Sequence, residues 1–208
     1  MAPSGYYDSP WPCEDAGPSR LQTPHSIYRL DLQPGMKLAC TSKRTQMSTM
    51  TVLGASGEVF LLTHSVLRSY LGIATTAQVS RIDPITLETL ESSPRLEGGP
   101  MWPGGMAVHA NGDIIVVYGR YAHKLNRQCK LIASYLLPVN EAYNSFVVLD
   151  NGLIVTKNLS DTTPAQLTTL HPDSFRVASS DVMCPEASIA RLSAHGNTVY
   201  VVGVSRVF

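Results

Sequence analysis

The sequence predicts an all-β chain in which one antiparallel unit is repeated, and three observations support this prediction. A short apolar strand, a turn containing Gly or Asn, and a second strand rich in β-branched residues occur together four times. The last three copies lie about 40 to 45 residues apart, which is the period of propeller blades. Long amphipathic helical stretches are missing. Together these observations favour a β-propeller over a β-sandwich or an α/β fold.

The four turns carry the repeat and are marked by glycines, namely Gly57, Gly112, Gly152 and Gly196. Asn111-Gly112 and Asn151-Gly152 predict two-residue hairpins, because such hairpins need a positive φ that glycine adopts at low cost. Each of the first three hairpins is followed by a third and a fourth predicted strand, as in QVSRIDP and then TLETLES after the first. Each unit is therefore predicted to be a four-stranded antiparallel meander.

The units divide the chain into an irregular N-terminal segment, 1–25, which is rich in Pro, Gly and Ser, and a propeller over 26–208. The predicted blades are 26–42 (partial), 48–95, 104–138, 144–180 and 188–208 (partial). Gln33-Pro34-Gly35 is the predicted turn of the first partial blade, and the stretch from His64 is an insertion in a surface loop. About four blades in an incomplete ring leave strand edges exposed, so we expect self-association or a missing remainder of the propeller.

Composition limits the partners that the chain can bind. Lys plus Arg equals Asp plus Glu at 16 each, so no overall charge attracts nucleic acid. No apolar run approaches the roughly 20 residues that cross a bilayer, and no signal peptide is recognised, so we expect no membrane association and a cytoplasmic location by default. The four cysteines show neither zinc-ligand spacing nor a dense disulfide pattern.

The repeat resembles a broad group of propellers that includes NHL-repeat proteins, the senescence-marker/gluconolactonase family and the quinoprotein-like dehydrogenases, over residues 26–208. For the gluconolactonase-like enzymes, the resemblance implies one divalent metal at the channel mouth, such as Ca or Mg, held by carboxylate and Asn side chains. Asn144 matches this ligand pattern by type, with Glu186 as a second candidate. RIDPITLETLESS has the Asp of a quinoprotein blade but lacks its Gly and Trp, so a quinone is not supported.

In a propeller, the loops from strand two to strand three and from strand four to the next blade gather on one face, here called the loop face. The candidate ligand-binding residues on this face are Trp102, Arg120, Glu141, Asn144 and Glu186. The carboxylates and Asn144 either ligate a hard metal or cap loops and turns. Trp102 either forms the floor of a pocket or packs between blades.

Three functions stay open at this point. The first is binding of a small molecule or peptide on the loop face, and the second is a metal-dependent hydrolase of the lactonase or esterase type, in which the metal polarises a carbonyl. The third is a scaffold for protein partners. No GxSxG motif is present, so the sequence offers no recognisable serine nucleophile.

Overall fold

A computed structural model describes residues 5–23, 33–37, 39–45 and 47–208 of the 208-residue chain. Within these residues the strands form four antiparallel sheets that follow one another in chain order. The first sheet contains β1 (Ser48–Leu53), β2 (Val59–His64), β3 (Thr75–Ile82), β4 (Thr89–Ser92) and β5 (Leu96–Gly99). A short helix, α1 (Val66–Tyr70), lies between β2 and β3.

The second and third sheets each have four strands in sequence order. The second contains β6 (Gly105–Val108), β7 (Ile114–Tyr118), β8 (Tyr121–Leu125) and β9 (Leu131–Leu136). The third contains β10 (Tyr143–Val148), β11 (Ile154–Asn158), β12 (Gln166–Leu170) and β13 (Val177–Met183). The fourth sheet has β14 (Ser193–His195) and β15 (Thr198–Tyr200), and an isolated bridge between Val202 and Val207 extends it.

The outer edge of the first sheet is split at Ser93-Pro94. β4 pairs with one half of β3 and β5 with the other half, so the two short strands together occupy the place of a fourth strand. Proline cannot donate a hydrogen bond to a strand ladder, which accounts for the break. Ser93 bridges it, because its backbone N–H donates to the Val79 carbonyl at 2.8 Å and its hydroxyl accepts from the Val79 N–H at 3.0 Å.

The Asn-Gly hairpins form at the predicted places, but the prediction of two-residue loops was wrong. At the β6–β7 turn the Gly112 N–H donates to the His109 carbonyl, and the His109 N–H donates to the Asp113 carbonyl, which makes a three-residue loop. Gly112 alone has a positive φ there, 89°. The physical reason is the Asn111 side chain, whose oxygen accepts the Asp113 N–H at 2.9 Å and so favours a right-handed turn before the glycine.

Three apolar cores are formed from consecutive sheets: the first and second, the second and third, and the third and fourth. The predicted inward-facing side chains are almost all buried, as listed here: Val108, Ile115, Val147, Ile154 and Val201, with Val199 half-buried. The prediction of an all-β chain made of successive antiparallel sheets is therefore confirmed.

Residues 5–23, here called the inner segment, run along the first strands of the sheets rather than extending away from them. Tyr6 forms a β-bridge with His109, and Cys13 forms one with Ala107 beside β6. The Leu53 N–H at the end of β1 donates to the Trp11 carbonyl at 2.8 Å. Only a 3₁₀ turn, Glu14–Ala16, is regular within the segment, as the irregular composition predicts.

The inner segment also reaches the third and fourth sheets. The Val148 N–H of β10 donates to the Tyr6 hydroxyl at 2.8 Å, and the Ala194 N–H of β14 donates to the Pro18 carbonyl at 2.9 Å. The first strand of every sheet is thus hydrogen-bonded to this one segment, which joins the four sheets on one side.

About half of the first partial blade, 26–32 and residue 38, lies outside the described residues. The predicted turn is present, since the Met36 N–H donates to the Gln33 carbonyl at 3.1 Å. Residues 33–37 and 39–45 contain no strand, and residues 24–32 lie outside the described part of the chain. Nowhere in the described ranges is there a helix both long enough and apolar enough to cross a bilayer.

Candidate functional site

Short backbone hydrogen bonds bring the loop-face turns of the first three sheets together. The Arg120 N–H in the β7–β8 turn donates to the Gly98 carbonyl of β5 at 2.6 Å. The Tyr143 N–H of the third sheet donates to the Gly119 carbonyl at 2.7 Å. The β2–β3 and β5–β6 connections leave from the same end of the first sheet, because Thr75 and Gly99 are paired. This end of the molecule is the loop face.

Arg120 holds one loop. Its Nε donates to the Leu137 carbonyl at 3.0 Å, and its two terminal nitrogens donate to the Pro138 carbonyl and the Asn140 side chain. Three of the five N–H donors of the guanidinium are thus bonded to one loop. Arg120 therefore shapes the loop face by positioning residues 137–140.

Glu141 is bonded within the third sheet. Its Oε2 accepts the Asn158 amide at 2.7 Å, and Asn158 is 1% exposed. The Asn158 oxygen in turn accepts the Gln166 N–H at 2.6 Å, so the pair ties the β11–β12 loop to the loop before β10. This is the loop-capping arrangement that the sequence left as the alternative to ligand binding.

Glu186 holds the turn at the end of the fourth sheet. Its two carboxylate oxygens accept the Ser205 backbone N–H and hydroxyl, both at 2.7 Å, and Arg206 lies 3.3 Å away. The Ser205 hydrogen bonds, and then Arg206, lower the pKa of the Glu186 carboxyl. The carboxylate is thus ionised and occupied by the protein's own donors.

Of the two remaining candidates, Asn144 and Trp102, only Trp102 has a described side chain. Asn144 lies in β10, but its side chain is outside the described part, so its sharing of an ion with Glu186 stays a prediction. Among the described residues, no group of three or more His, Cys, Asp or Glu side chains is arranged to hold a metal ion. Trp102 lies on the β5–β6 connection and is 43% exposed, so it is open to solvent rather than enclosed between sheets.

Three buried histidines show a contrast that the sequence could not reveal. His109 and His123 each have both ring nitrogens hydrogen-bonded: His109 with Gly152 and Asn111, and His123 with Glu97 and Ser134. His64 is 2% exposed, yet within the described part of the chain neither of its ring nitrogens has a hydrogen-bond partner. Burial lowers the pKa of His64, which keeps its imidazole neutral near pH 7.

Tyr118 shares this property with His64. The two rings meet edge to face, with 5.6 Å between their centroids, and the buried Tyr118 hydroxyl makes no close hydrogen bond within the described residues. The Thr75 hydroxyl interacts with the phenol and also donates to the Gly99 carbonyl at 3.1 Å. His64 ends β2 and Tyr118 ends β7, so both lie at the loop-face end of the contact between the first two sheets. Buried polar groups are normally paired, so this place is a candidate site for a ligand or an ordered water.

Exposed apolar side chains surround this end of the first sheet. Helix α1 begins two residues after His64 and is closed by Gly72, whose φ is 65° and which is followed by a hydrogen bond from the Ile73 N–H to the Arg68 carbonyl. This loop and the β5–β6 connection present four large side chains, here called the apolar patch: Leu67, Tyr70, Leu71 and Trp102, which are 67%, 83%, 64% and 43% exposed.

Lys157 on β11 is completely buried, and none of the carboxylates in the described ranges pairs with it. Its Nζ donates to the Ser188 carbonyl at 2.7 Å and to the Asn158 carbonyl at 3.4 Å. Burial lowers the pKa of Lys157 to about 8, whereas an unfolded lysine titrates near 10.5. Keeping Lys157 charged at this position, between the third sheet and the start of the fourth, therefore lowers the stability of the folded state.

Lys157 predicts an alkaline pH dependence of stability. Because the folded-state pKa lies below the unfolded value, the unfolded chain binds the proton more tightly, and the free energy of unfolding should rise as the pH increases from about 8 to about 10.5. We expect a rise of about 2 kcal/mol in urea denaturation series over this range. Lys157→Met should flatten the slope, and the exposed Lys130→Met should leave it unchanged. An unchanged slope in Lys157→Met would contradict the assignment.

Comparison with known proteins adds little to this description. No family model matches the chain, and no curated protein matches it. Six solved chains are similar to it, and one of them is a protein of unknown function from Bacteroides caccae. That structure has 14% sequence identity and a TM-score of 0.44, and the match covers 75% of this chain and 54% of that one. The chain thus spans about half the length of this neighbour, and the likeness carries no inference about function.

Proposed function

We propose that the chain is a binding module whose loop face receives an apolar peptide segment above the first and second sheets. The observation that carries the proposal is the buried, neutral pair of His64 and Tyr118 beside the apolar patch: within the described residues His64 has no hydrogen-bond partner, and the Tyr118 hydroxyl interacts only with Thr75. A neutral imidazole offers one donor and one acceptor, and the phenol offers one of each. Peptide groups present the same pair of functions, and both side chains are closed to solvent, so a docking peptide satisfies them once the side chains that cover them move aside.

A peptide fits this surface better than a compact small molecule does. The patch residues project from a short helix and a connection, and exposed apolar patches of this kind mark interaction sites. Small molecules favour concave pockets, and two described hollows of about 340 and 360 Å³ lie elsewhere, on the outer face of the first sheet and beside the fourth sheet.

The four sheets are proposed to be propeller blades arranged around the inner segment. Packing of each sheet on the next supports this arrangement, as do the hydrogen bonds from the first strand of each sheet to the same segment. In this arrangement the loop face is one end of the molecule, where propellers commonly bind ligands. The NHL-like or gluconolactonase-like identity and the number of blades in a complete ring stay predictions.

The hydrolase hypothesis has weaker support than peptide binding. It needs at least three converging oxygen ligands, and both oxygens of Glu186 already accept hydrogen bonds from Ser205. Glu141 is bonded to Asn158. A protein-interaction scaffold differs from the proposed module only in the size of the bound partner.

The proposal is tested by selecting 12-residue peptides from a displayed random library on the immobilised chain. Selected peptides should bind the wild type and lose at least tenfold in affinity on Tyr70→Asp, because the charge falls within the apolar patch. Ile85→Asp is the matched control, since Ile85 is 79% exposed at the opposite end of the first sheet. Equal binding to both variants, or selection of no peptide, would contradict the proposal. If the chain bound free small molecules in preference to peptides, the proposed ligand would be a small molecule.

The role of His64 is tested by a matched pair of substitutions. His64→Leu removes two unsatisfied buried nitrogens, so it should raise the free energy of unfolding by about 1 kcal/mol while weakening peptide binding. His123→Leu should lower it by about 1 to 2 kcal/mol, because it removes the hydrogen bond to the Glu97 carbonyl, while the exposed Ser134 hydroxyl is solvated by water. If His64→Leu destabilises the protein as much as His123→Leu does, His64 is a structural residue.

A further inference from the structure

The first half of the inner segment is bound to the second sheet as an added strand would be. The Tyr7 N–H donates to the Val108 carbonyl at 2.9 Å, and the Val108 N–H donates to the Pro12 carbonyl at 2.7 Å. The Ala110 N–H donates to the Gly5 carbonyl at 2.8 Å. Main-chain bonds of this kind along a sheet edge are how sheets capture extended peptides. The edge of β6 is thus a strand-accepting groove filled by the chain itself.

The second half of the segment is fixed to the fourth sheet through charges. Glu14 lies 2.9 Å from Arg20 and 2.6 Å from Arg191, and Asp15 lies 3.1 Å from Arg20. The Arg20 Nε donates to the Leu192 carbonyl. Of these ion pairs, only Glu14–Arg191 joins the segment to the loop before β14, since Arg20 belongs to the segment itself.

This second half is also held in an unfavourable conformation. Four residues other than glycine have φ values between 54° and 64°: Asp15, Ala16, Arg20 and Gln22. The left-handed region is sterically costly for such residues. The strain opposes the hydrogen bonds and ion pairs, so this half of the segment is the part that opens most easily.

The chain between the inner segment and β1 is long enough to reach a neighbouring molecule. Because Lys43 is paired with Glu88 of the first sheet, the connection runs from residue 24 to residue 42, and these roughly 19 residues can span up to about 60 Å when extended. A folded chain of this size is roughly 40 to 45 Å across. The segment can therefore leave its own sheets and reach those of a second molecule.

We propose that the inner segment is exchangeable, and that the groove accepts the same segment from a second copy of this chain, which gives an arm-exchanged dimer. In this groove the buried Val148 N–H is bonded to a hydroxyl acceptor, and Arg191 is paired with a carboxylate. A second copy supplies both in the right register, since its residues Tyr6 and Glu14 are identical. Such an exchange needs no new interface, because every bond within one chain is formed again between two.

The Glu14–Arg191 pair allows a complementation experiment. Glu14→Arg and Arg191→Glu each place like charges together within one chain and in a dimer with itself. When the two variants are mixed, one contact of an exchanged heterodimer joins the two substituted side chains and the other joins the two original ones. Opposite charges therefore meet only between chains. The double variant Glu14→Arg/Arg191→Glu is matched within one chain and is the control. Arg20 keeps Asp15 as a partner in every case.

The variants are refolded separately and as an equal mixture, and masses are measured by light scattering after size exclusion and by native mass spectrometry. We expect at least ten times more dimer in the mixture than in either variant alone or in the double variant, with one chain of each kind. A mixture that equals the sum of its parts overturns the proposal. If a single variant fails to fold, isotopically light and heavy wild-type chains are refolded together at rising concentration, and the absence of a mixed dimer overturns the proposal equally.

Discussion

Replacing Tyr6 by Ala is expected to lower the free energy of unfolding by about 3 to 5 kcal/mol, as large-to-small substitutions of buried aromatic residues do. The Tyr6 side chain is 6% exposed and packs in the core of the second and third sheets. Its hydroxyl accepts the buried Val148 N–H, and losing this acceptor adds a cost of about 1 to 3 kcal/mol if no water replaces it. Urea denaturation followed by circular dichroism measures the change.

Two further variants separate the contributions at this position. Tyr6→Phe keeps the ring and removes only the hydroxyl, so it should cost about 1 to 3 kcal/mol. Leu21→Ala, in the same segment but 74% exposed, should change the stability by less than about 0.5 kcal/mol. A loss below about 1 kcal/mol for Tyr6→Ala would mean that the inner segment is not bound to the sheets in solution.

Replacing Ile115 by Ala is expected to cost about 2 to 5 kcal/mol. Ile115 lies on β7 and is completely buried in the core of the second and third sheets. Its removal leaves a cavity that the pleated backbone around it cannot easily close. Ile132→Ala on the outer strand β9, where the side chain is 52% exposed, is the matched control and should cost less than about 1 kcal/mol. Equal effects of the two substitutions would contradict the packing of the second sheet on the third.

The repeated sheets could be predicted because their signals are local. Asn111-Gly112 and Asn151-Gly152 mark turns, and the alternation of apolar residues around them follows the strand period. The inner segment could not be predicted in the same way. Tyr6 and Cys13 lie among Pro, Gly and Ser without any periodicity, and their partners on β6 and β10 are distant in the sequence.

The candidate site was predicted only in outline. Charged residues in loops identified Arg120, Glu141 and Glu186, but residue type does not tell whether a side chain faces a ligand or bonds to its own loop. His64, in contrast, could be singled out only from the structure. Residue type does not tell which buried histidine has hydrogen-bond partners, and what distinguishes His64 from His109 and His123 is the packing of the first sheet on the second.

The contacts of the inner segment set the order in which the chain can fold during synthesis. Arg20 binds the carbonyl of Leu192, 172 residues further along the chain, and Pro18 binds Ala194. At roughly 5 to 20 residues per second, a ribosome needs about 10 to 35 seconds to supply those partners. The first three sheets have local contacts and can form in turn as they emerge, whereas the inner segment, made before them, completes its contacts last. Until then Pro18 and Arg20 lack their partners on the fourth sheet, whereas residues 6 to 12 can bond to each of the first three sheets as it emerges.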